Sequence, residues 1–383
     1  MTRVLLGQLG SNGDCLYATA IARQIKNDFP GCHLTWAIGS LSRGVISNFS
    51  EADEIWELPQ NSWADMESGW NLFEIEAHEL ANVRHFDHVF LTQISPARFC
   101  NYDGTIRPSI FRNYPSPITV PVDVVISLTE EERDQVDRWF NASCASSSPE
   151  VILFECSSKS GQSFLTVEIA VQIAEQITAA RQNAVVIIST HEDVKSENRR
   201  IISARELSIR QMARLTEHAH LFVGCGSGLT VAATSGAAKA NLPNIQILNR
   251  GMSKYGSFRH DFEFFGKPSD HFLELTSEDP SHLGMVAIAS LAEGLASAKE
   301  RFDDPPPLTF NWYKTLITMM LLERGKYTDA IHSLLVTAGR YGWVDELKEY
   351  ARYRVLPFVS HDPRSALAHR RAEIDQVRSA VGA

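Results

Sequence analysis

The stretch Leu221-Phe222-Val223-Gly224-Cys225-Gly226-Ser227-Gly228-Leu229-Thr230 constrains this chain more than any other. A short apolar run, readable as a buried strand, meets three glycines and a serine, and Val231-Ala232-Ala233-Thr234 then opens a closely packed helix. Such a turn aims backbone N–H groups and a helix N-terminus at one point, where a phosphate is well placed. Neither the Walker spacing nor GxGxxG is present, so the surroundings must decide between a packing turn and a ligand site.

Those surroundings are α/β throughout. Residues 3–7 read as a strand, Gln8 to Asp14 as a Gly-, Ser- and Asn-rich turn, and Cys15 to Phe29 as a helix with Leu16, Ala20, Ile21 and Ile25 on one face. Pro30-Gly31 stops that helix before a second strand, His33 to Ile38, which makes a βαβ unit with a parallel pair. A helical face at Val45 to Phe49, a strand at Glu54 to Leu58, a loop and helix from Pro59 to about Arg84, and a strand at His85 to Thr92 follow. Cys100 to Pro121, with four prolines, reads as an ordered irregular segment, and Val122 to Ile126 as a short strand.

Thr129 and Glu132 have the spacing of a capping box for a helix to about Phe140. The Ser-rich run Ser143 to Pro149 reads as a flexible connector, after which the plan repeats: strand Val151 to Phe154, helix Thr166 to Arg181, strand Ala184 to Ser189, helix Ser208 to Glu217, the glycine turn, helix Thr230 to Ala240 and strand Ile245 to Leu248. An alanine-rich helix from about Met285 to Arg301 precedes Pro305-Pro306-Pro307. Beyond the prolines, Trp312 to Glu323, Tyr327 to Tyr341 and Val344 to Tyr353 read as amphipathic helices, with Leu322 to Ala330 resembling a tetratricopeptide helix turn. The expected domains are 1–127, 128–303 and a docked helical tail, 304–383.

The chain of 383 residues can bury more than one core, and its net charge of −10 speaks against a nucleic-acid binder. Six cysteines without CxxC spacing suggest neither a zinc site nor a disulfide framework, which fits a reducing cytoplasm. No stretch approaches the roughly 18 apolar residues of a membrane span, leaving at most peripheral lipid contact. Cys225 lacks a base at a defined spacing and reads as a small packed residue.

The strand, the loop ending in Gly13-Asp14, the following helix, Phe29-Pro30-Gly31, Trp36 and the Gly39 turn resemble the N-terminal half of the heptosyltransferases, glycosyltransferase family 9. In the second half, the helix Leu128 to Phe140, the loop Ser157-Ser158-Lys159-Ser160 and the run His218 to Gly228 are similar to the family's corresponding elements. The match covers roughly residues 1–295. It implies a GT-B fold, an α/β architecture of two Rossmann-like domains facing across a cleft, with the sugar nucleotide held chiefly by the C-terminal one. It also implies an inverting, metal-independent hexosyl- or heptosyl-transferring enzyme in which Asp14 takes the proton of the acceptor hydroxyl. Asp14 before Cys15-Leu16-Tyr17 also suits a helix N-cap.

The donor contacts expected on this basis are Ser158, Lys159, His191, Gly226, Ser227, Gly228, Leu229 and Thr230. The acceptor contacts are Ser11, Asn12, Gly13 and Arg98, with Arg107 and Arg112 as further cations, while Arg250, Lys254 and Tyr255 also follow a strand facing the cleft. The chain departs from the family where Cys225-Gly226-Ser227-Gly228 stands in place of Asn-Asp-Ser-Gly, so the turn supports nucleotide binding but not a heptose donor. No cofactor and no metal are expected. The partners are a nucleotide-sugar donor and a glycan, glycolipid or protein acceptor, with protein contacts through the tail. Two other readings stay open: a noncatalytic GT-B scaffold that binds partners, and another GT-B enzyme such as a sugar-nucleotide epimerase.

Overall fold

A computed structural model describes residues 1–156, 161–361 and 371–382. The first half builds a four-stranded parallel sheet in the order β3-β2-β1-β4. Its elements run β1 (Arg3–Gly7), α1 (Asn12–Asp28), β2 (His33–Gly39), β3 (Glu54–Leu58), α2 (Trp63–Asn82), β4 (His88–Leu91), and α3 (Arg107–Arg112). Strand residues alternate between two cores, because successive side chains leave opposite faces of a pleated strand. Val4 and Leu6 pack with Leu16, Ile21 and Ile25 of α1, whereas Leu5 lies on the other face with Trp70 and Phe73 of α2. Both faces of β1 are therefore covered, which is why it reads as a continuous apolar run.

Residues 122–126 form no strand. They make an extended connector instead, whose backbone is satisfied laterally: Val125 N–H donates to Thr19 Oγ1 at 3.2 Å and the Val124 carbonyl accepts from Gly236 N–H at 3.1 Å. The helical face at Val45 to Phe49 is likewise only a tight turn, Arg43–Ile46.

Helix α4 (Glu130–Ala142) opens with the capping box: Thr129 Oγ1 accepts Glu132 N–H at 3.1 Å and Glu132 accepts Thr129 N–H at 2.9 Å. The serine-rich run after it is an ordered turn rather than a flexible connector, since Ser143 Oγ accepts Ala145 N–H and Ser148 Oγ donates to the Glu150 carbonyl. A six-stranded parallel sheet follows, in the order β10-β9-β8-β5-β6-β7. Its elements are β5 (Glu150–Glu155), α5 (Val167–Ala180), β6 (Ala184–Ser189), β7 (Ile201–Ser203), α6 (Ile209–Leu215), β8 (Leu221–Gly224), α7 (Gly228–Ala233), β9 (Asn244–Ile247), α8 (Phe258–Phe264) and β10 (Phe272–Leu275). The edge strands β7 and β10 are too short to show a period in sequence. Helix α7 stops at Ala233, well short of Ala240, where Ser235-Gly236 turns the chain.

The alanine-rich helix begins earlier than expected and is broken. Helices α9 (Pro280–Glu293) and α10 (Leu295–Phe302) meet at Gly294, whose φ of +87° lies in the left-handed region. The tail holds α11 (Asn311–Ile317), which runs into a wider π-helical turn, α12 (Tyr327–Tyr341), α13 (Asp345–Tyr350), α14 (Leu356–His361) and α15 (Arg371–Val381). Helix α12 lies against residues 99–102 of the first half, with Ser333 Oγ donating to the Tyr102 carbonyl at 2.7 Å. The tail also holds the second half, where Ser253 Oγ donates to the Pro307 carbonyl and accepts Thr309 N–H, each at 2.7 Å.

Two arginines join the halves directly. Arg210 of α6 donates to the carbonyls of Ser47 and Ser127 and pairs with Glu132. Arg107 of α3, 2 % exposed, pairs with Asp261 of α8, its guanidinium lying 4.7 Å from the Tyr17 ring centre and 5.1 Å from that of Phe265. Removing Arg107 would leave the Asp261 carboxylate buried and unpaired. Arg107→Ala should therefore cost about 3–5 kcal/mol in urea unfolding, whereas Arg107→Met with Asp261→Leu should cost much less. Equal losses in the two variants would show that the charge pair is not what joins the domains here.

Candidate functional site

In each sheet the chain leaves the first strand in one direction and later returns on its other side, so each has a point where the topology reverses. Crevices form there, outside the carboxyl ends of the strands. In the first sheet that point lies between β1 and β4, and in the second between β5 and β8.

A buried polar residue bridges each reversal. In the first sheet Gln93 Oε1, beyond β4, accepts Gln8 Nε2–H at 2.8 Å and the N–H groups of Leu9 and Gly10 at 3.0 Å each. Thr92 Oγ1 donates to Gln8 Oε1 at 2.9 Å, and Trp36 Nε1–H donates to the Gln8 carbonyl at 3.2 Å. These bonds fix the β1–α1 loop. In the second sheet Glu155 ends β5 at 2 % exposure and accepts from Cys225 N–H at 3.1 Å, Thr230 Oγ1 at 2.6 Å and Ser227 Oγ. The glycine turn is thus organised on an internal carboxylate. Neither Gln93 nor Glu155 is singled out by the sequence, although a glutamate closing the apolar run Val151-Ile152-Leu153-Phe154 is the one visible signal.

The two loops meet. A methyl group added at Gly228 would stand 3.2 Å from both Asn12 Cβ and Gly13 N, so the heads of α1 and α7 touch backbone to backbone. Gly226 adopts φ +70°, and a Cβ there would lie 3.0 Å from Leu248 Cδ2, so only glycine fits without strain. Asp14 sits in the first turn of α1. The helix starts at Asn12 with Ser11 as N-cap, so Asp14 is not the cap itself. Burial lifts its carboxyl from the ordinary range to about 7, against the opposing pull of the Ser11 N–H and hydroxyl. Asn12 Oδ1 beside it is buried and has no hydrogen-bond partner among the described residues.

Asn12 and Gly13 therefore meet Gly228, with Ser11 and Asp14 flanking them in the chain and Gly226, Ser227, Leu229 and Thr230 flanking Gly228. Arg98 stands apart, paired with Glu74 of α2 at 2.7 Å. Arg107 and Arg112 are engaged with Asp261 and Asp103. His191 is exposed on the loop after β6. Arg250 pairs with Asp304 at 3.7 Å and Tyr255 is buried. Ser158 and Lys159 lie outside the described residues. Burial and the neighbouring Glu155 push the Cys225 thiol far above the usual thiol range, which suits a packed residue and not a nucleophile. Among the described residues no helix is long and apolar enough to cross a membrane.

No protein-family model matches the chain, and no curated protein matches its sequence. Solved structures do. A glycosyl transferase family 9 structure from Veillonella parvula, 14 % identical, overlays on 84 % of this chain and 98 % of its own with a TM-score of 0.50. The fold is GT-B. Similarity of lower TM-score, 0.48 in each case, extends to ADP-heptose LPS heptosyltransferase II of E. coli (14 % identity, 76 % of this chain and 100 % of that one) and to a putative UDP-N-acetylglucosamine 2-epimerase from Listeria monocytogenes (11 %, 83 % and 95 %). The loop that carries Asp14 and the glycine turn meet where the heads of α1 and α7 touch.

The raised Asp14 carboxyl has a consequence for stability. Between the unfolded value near 3.9 and the folded value of about 7, the native state holds a proton that the unfolded chain releases, so stability falls as pH rises through that window and levels off above it. Asp14→Asn should match wild type in melting temperature near pH 4 and exceed it increasingly up to pH 7–8. A difference that stays constant with pH would mean the carboxyl ionises normally.

Proposed function

We propose that this chain is an inverting glycosyltransferase that moves a sugar from a nucleotide-sugar donor to an acceptor hydroxyl without a metal ion. The observation that carries this reading is the position and protonation of Asp14, a carboxyl titrating near neutrality at the reversal point of one half and next in the chain to Gly13, whose backbone touches the glycine turn of the other. A base works best when its pKa lies near the working pH. In this reading the acceptor O–H gives its proton to Asp14 as the oxygen attacks the anomeric carbon, and the bond to the diphosphate breaks with its electron pair leaving on the phosphate oxygen. Backbone N–H groups of the turn at Ser227 to Leu229 and the cation of Lys159 would compensate that charge. The likeness to a family 9 glycosyl transferase structure supports the reading at the level of fold.

One observation favours a second reading, that of a noncatalytic scaffold. The hydroxyls of Ser227 and Thr230 already donate to Glu155, and the Gly13–Gly228 contact leaves no gap between the two loops. A donor diphosphate would share this turn with a buried carboxylate.

The two readings separate in a thermal-shift screen of UDP-, GDP-, ADP- and CMP-sugars, since a ligand that binds the native state raises its melting temperature. A transferase should respond to one nucleotide class, and no response to any would support the scaffold. With the responding donor, Asp14→Asn should slow transfer roughly 10²–10⁴-fold while leaving donor affinity nearly unchanged. Turnover equal to wild type would remove Asp14 from the mechanism. Turnover should also survive EDTA, and its abolition by chelation with recovery on adding a divalent ion would refute the metal-free reading.

A further inference from the structure

Away from the cleft, α8 and α12 enclose an open cavity of about 640 Å³, within the size range of small-molecule sites. It draws on all three parts of the chain: Arg112 from the first half, His260, Glu263 and Phe264 from the second, and Arg340 and Tyr341 from the tail. Three buried polar atoms on residues that line it, His260 Nδ1, Arg340 Nη2 and the Tyr341 hydroxyl, have no hydrogen-bond partner among the described residues. Buried polar atoms are almost always paired, so three orphans around one cavity are a departure that a ligand would resolve.

The arrangement around them selects the kind of ligand. The Arg340 side chain is only 8 % exposed. Its Nη1 donates to Asp103 Oδ2 at 3.1 Å and Thr105 Oγ1 at 3.0 Å, and its guanidinium lies 4.0 Å from the Phe264 ring centre, which fixes the plane and leaves Nη2 without a partner. Arg112 is held by the same carboxylate at 2.8 Å. Two guanidiniums thus share one buried aspartate, and the floor of the cavity keeps an excess of positive charge. Burial, reinforced by Arg340 and Lys254 and opposed by Asp103 and a hydrogen bond to the Lys254 backbone, keeps the His260 ring neutral down to about pH 4. Glu263 stands at the exposed mouth, where water screens it and the Ser269 hydroxyl donates to it at 3.2 Å.

We propose that this cavity binds a small oxyanion, the phosphate or carboxylate group of a metabolite, through Arg340 Nη2 and the Tyr341 hydroxyl with the His260 ring as the third contact. A planar guanidinium with a phenol beside it suits a tetrahedral or trigonal oxygen group, and the Phe264 ring supplies an apolar wall for the remainder of the ligand. Because the contacts come from α8 and α12, the bound anion would tie the tail to the second domain.

The test is to titrate the full chain with inorganic phosphate and, separately, with malonate, by calorimetry and by melting temperature, against sodium chloride of equal ionic strength. Saturable binding of one anion, with a melting temperature above the chloride control, is expected, and which anion binds distinguishes the two sources. Tyr341→Phe removes a hydroxyl that makes no hydrogen bond, so it should leave the unliganded melting temperature close to wild type and weaken the anion roughly three- to tenfold. His260→Asn should weaken it to a similar degree, whereas Asp14→Asn should leave it unchanged. No saturable binding of either anion, or binding indifferent to both Tyr341→Phe and His260→Asn, overturns the proposal. Loss of binding in Ser227→Ala with retention in Tyr341→Phe does so too, since it would put the anion at the glycine turn.

Discussion

Backbone contact between Gly13 and Gly228 sets how closely the carboxyl edges of the two sheets approach, and much of the architecture follows from that distance. A side chain at Gly228 would press on Asn12 Cβ and Gly13 N at 3.2 Å. With glycines there, α1 and α7 touch, and the faces of both helices merge into one apolar cluster that continues from the first half into the second and the tail. Arg107 and Arg210 then satisfy carbonyls and carboxylates that this closure buries. Packing of this kind resists separation, because opening the cleft would expose apolar surface and strand the Arg107–Asp261 pair at the same time.

The same closure governs the electrostatics of the cleft. Each helix head has an acidic side chain of the chain's own beside it: Glu155 at the glycine turn and Asp14 in the first turn of α1. The two carboxylates are treated differently. Glu155 receives two hydroxyls and a backbone N–H. Asp14 is helped only by Ser11 and loses more to burial than it regains, so it holds its proton up to neutrality. A carboxylate as fully bonded as Glu155 is suited to holding a turn.

The tail belongs to the same physical system. Pro307 to Thr309 are pinned to Ser253, α12 lies on the irregular segment around Tyr102, and Asp103 gathers Arg112 and Arg340 into one buried network. The irregular segment Cys100 to Pro121 is ordered because the tail and α8 cover it. Sequence can flag its prolines, but not the helices that lie across it.

The sequence by itself determined the alternation of strands and helices, because apolar runs such as Val151 to Phe154 and the face of Leu16, Ile21 and Ile25 are local patterns. It also determined the Thr129–Glu132 cap and the glycine turn, whose chemistry lies within a few residues. It could not place the Val122 to Ile126 run, whose β-like composition is satisfied by α1 and Gly236 and not by a sheet neighbour. Nor could it show that Ser227 and Thr230 face Glu155, more than seventy residues earlier, or that Gln8 and Gln93 hold one loop. Only the tertiary structure decided those pairings, and with them the protonation of Asp14, because burial and hydrogen bonding at a domain junction depend on which distant segments meet there.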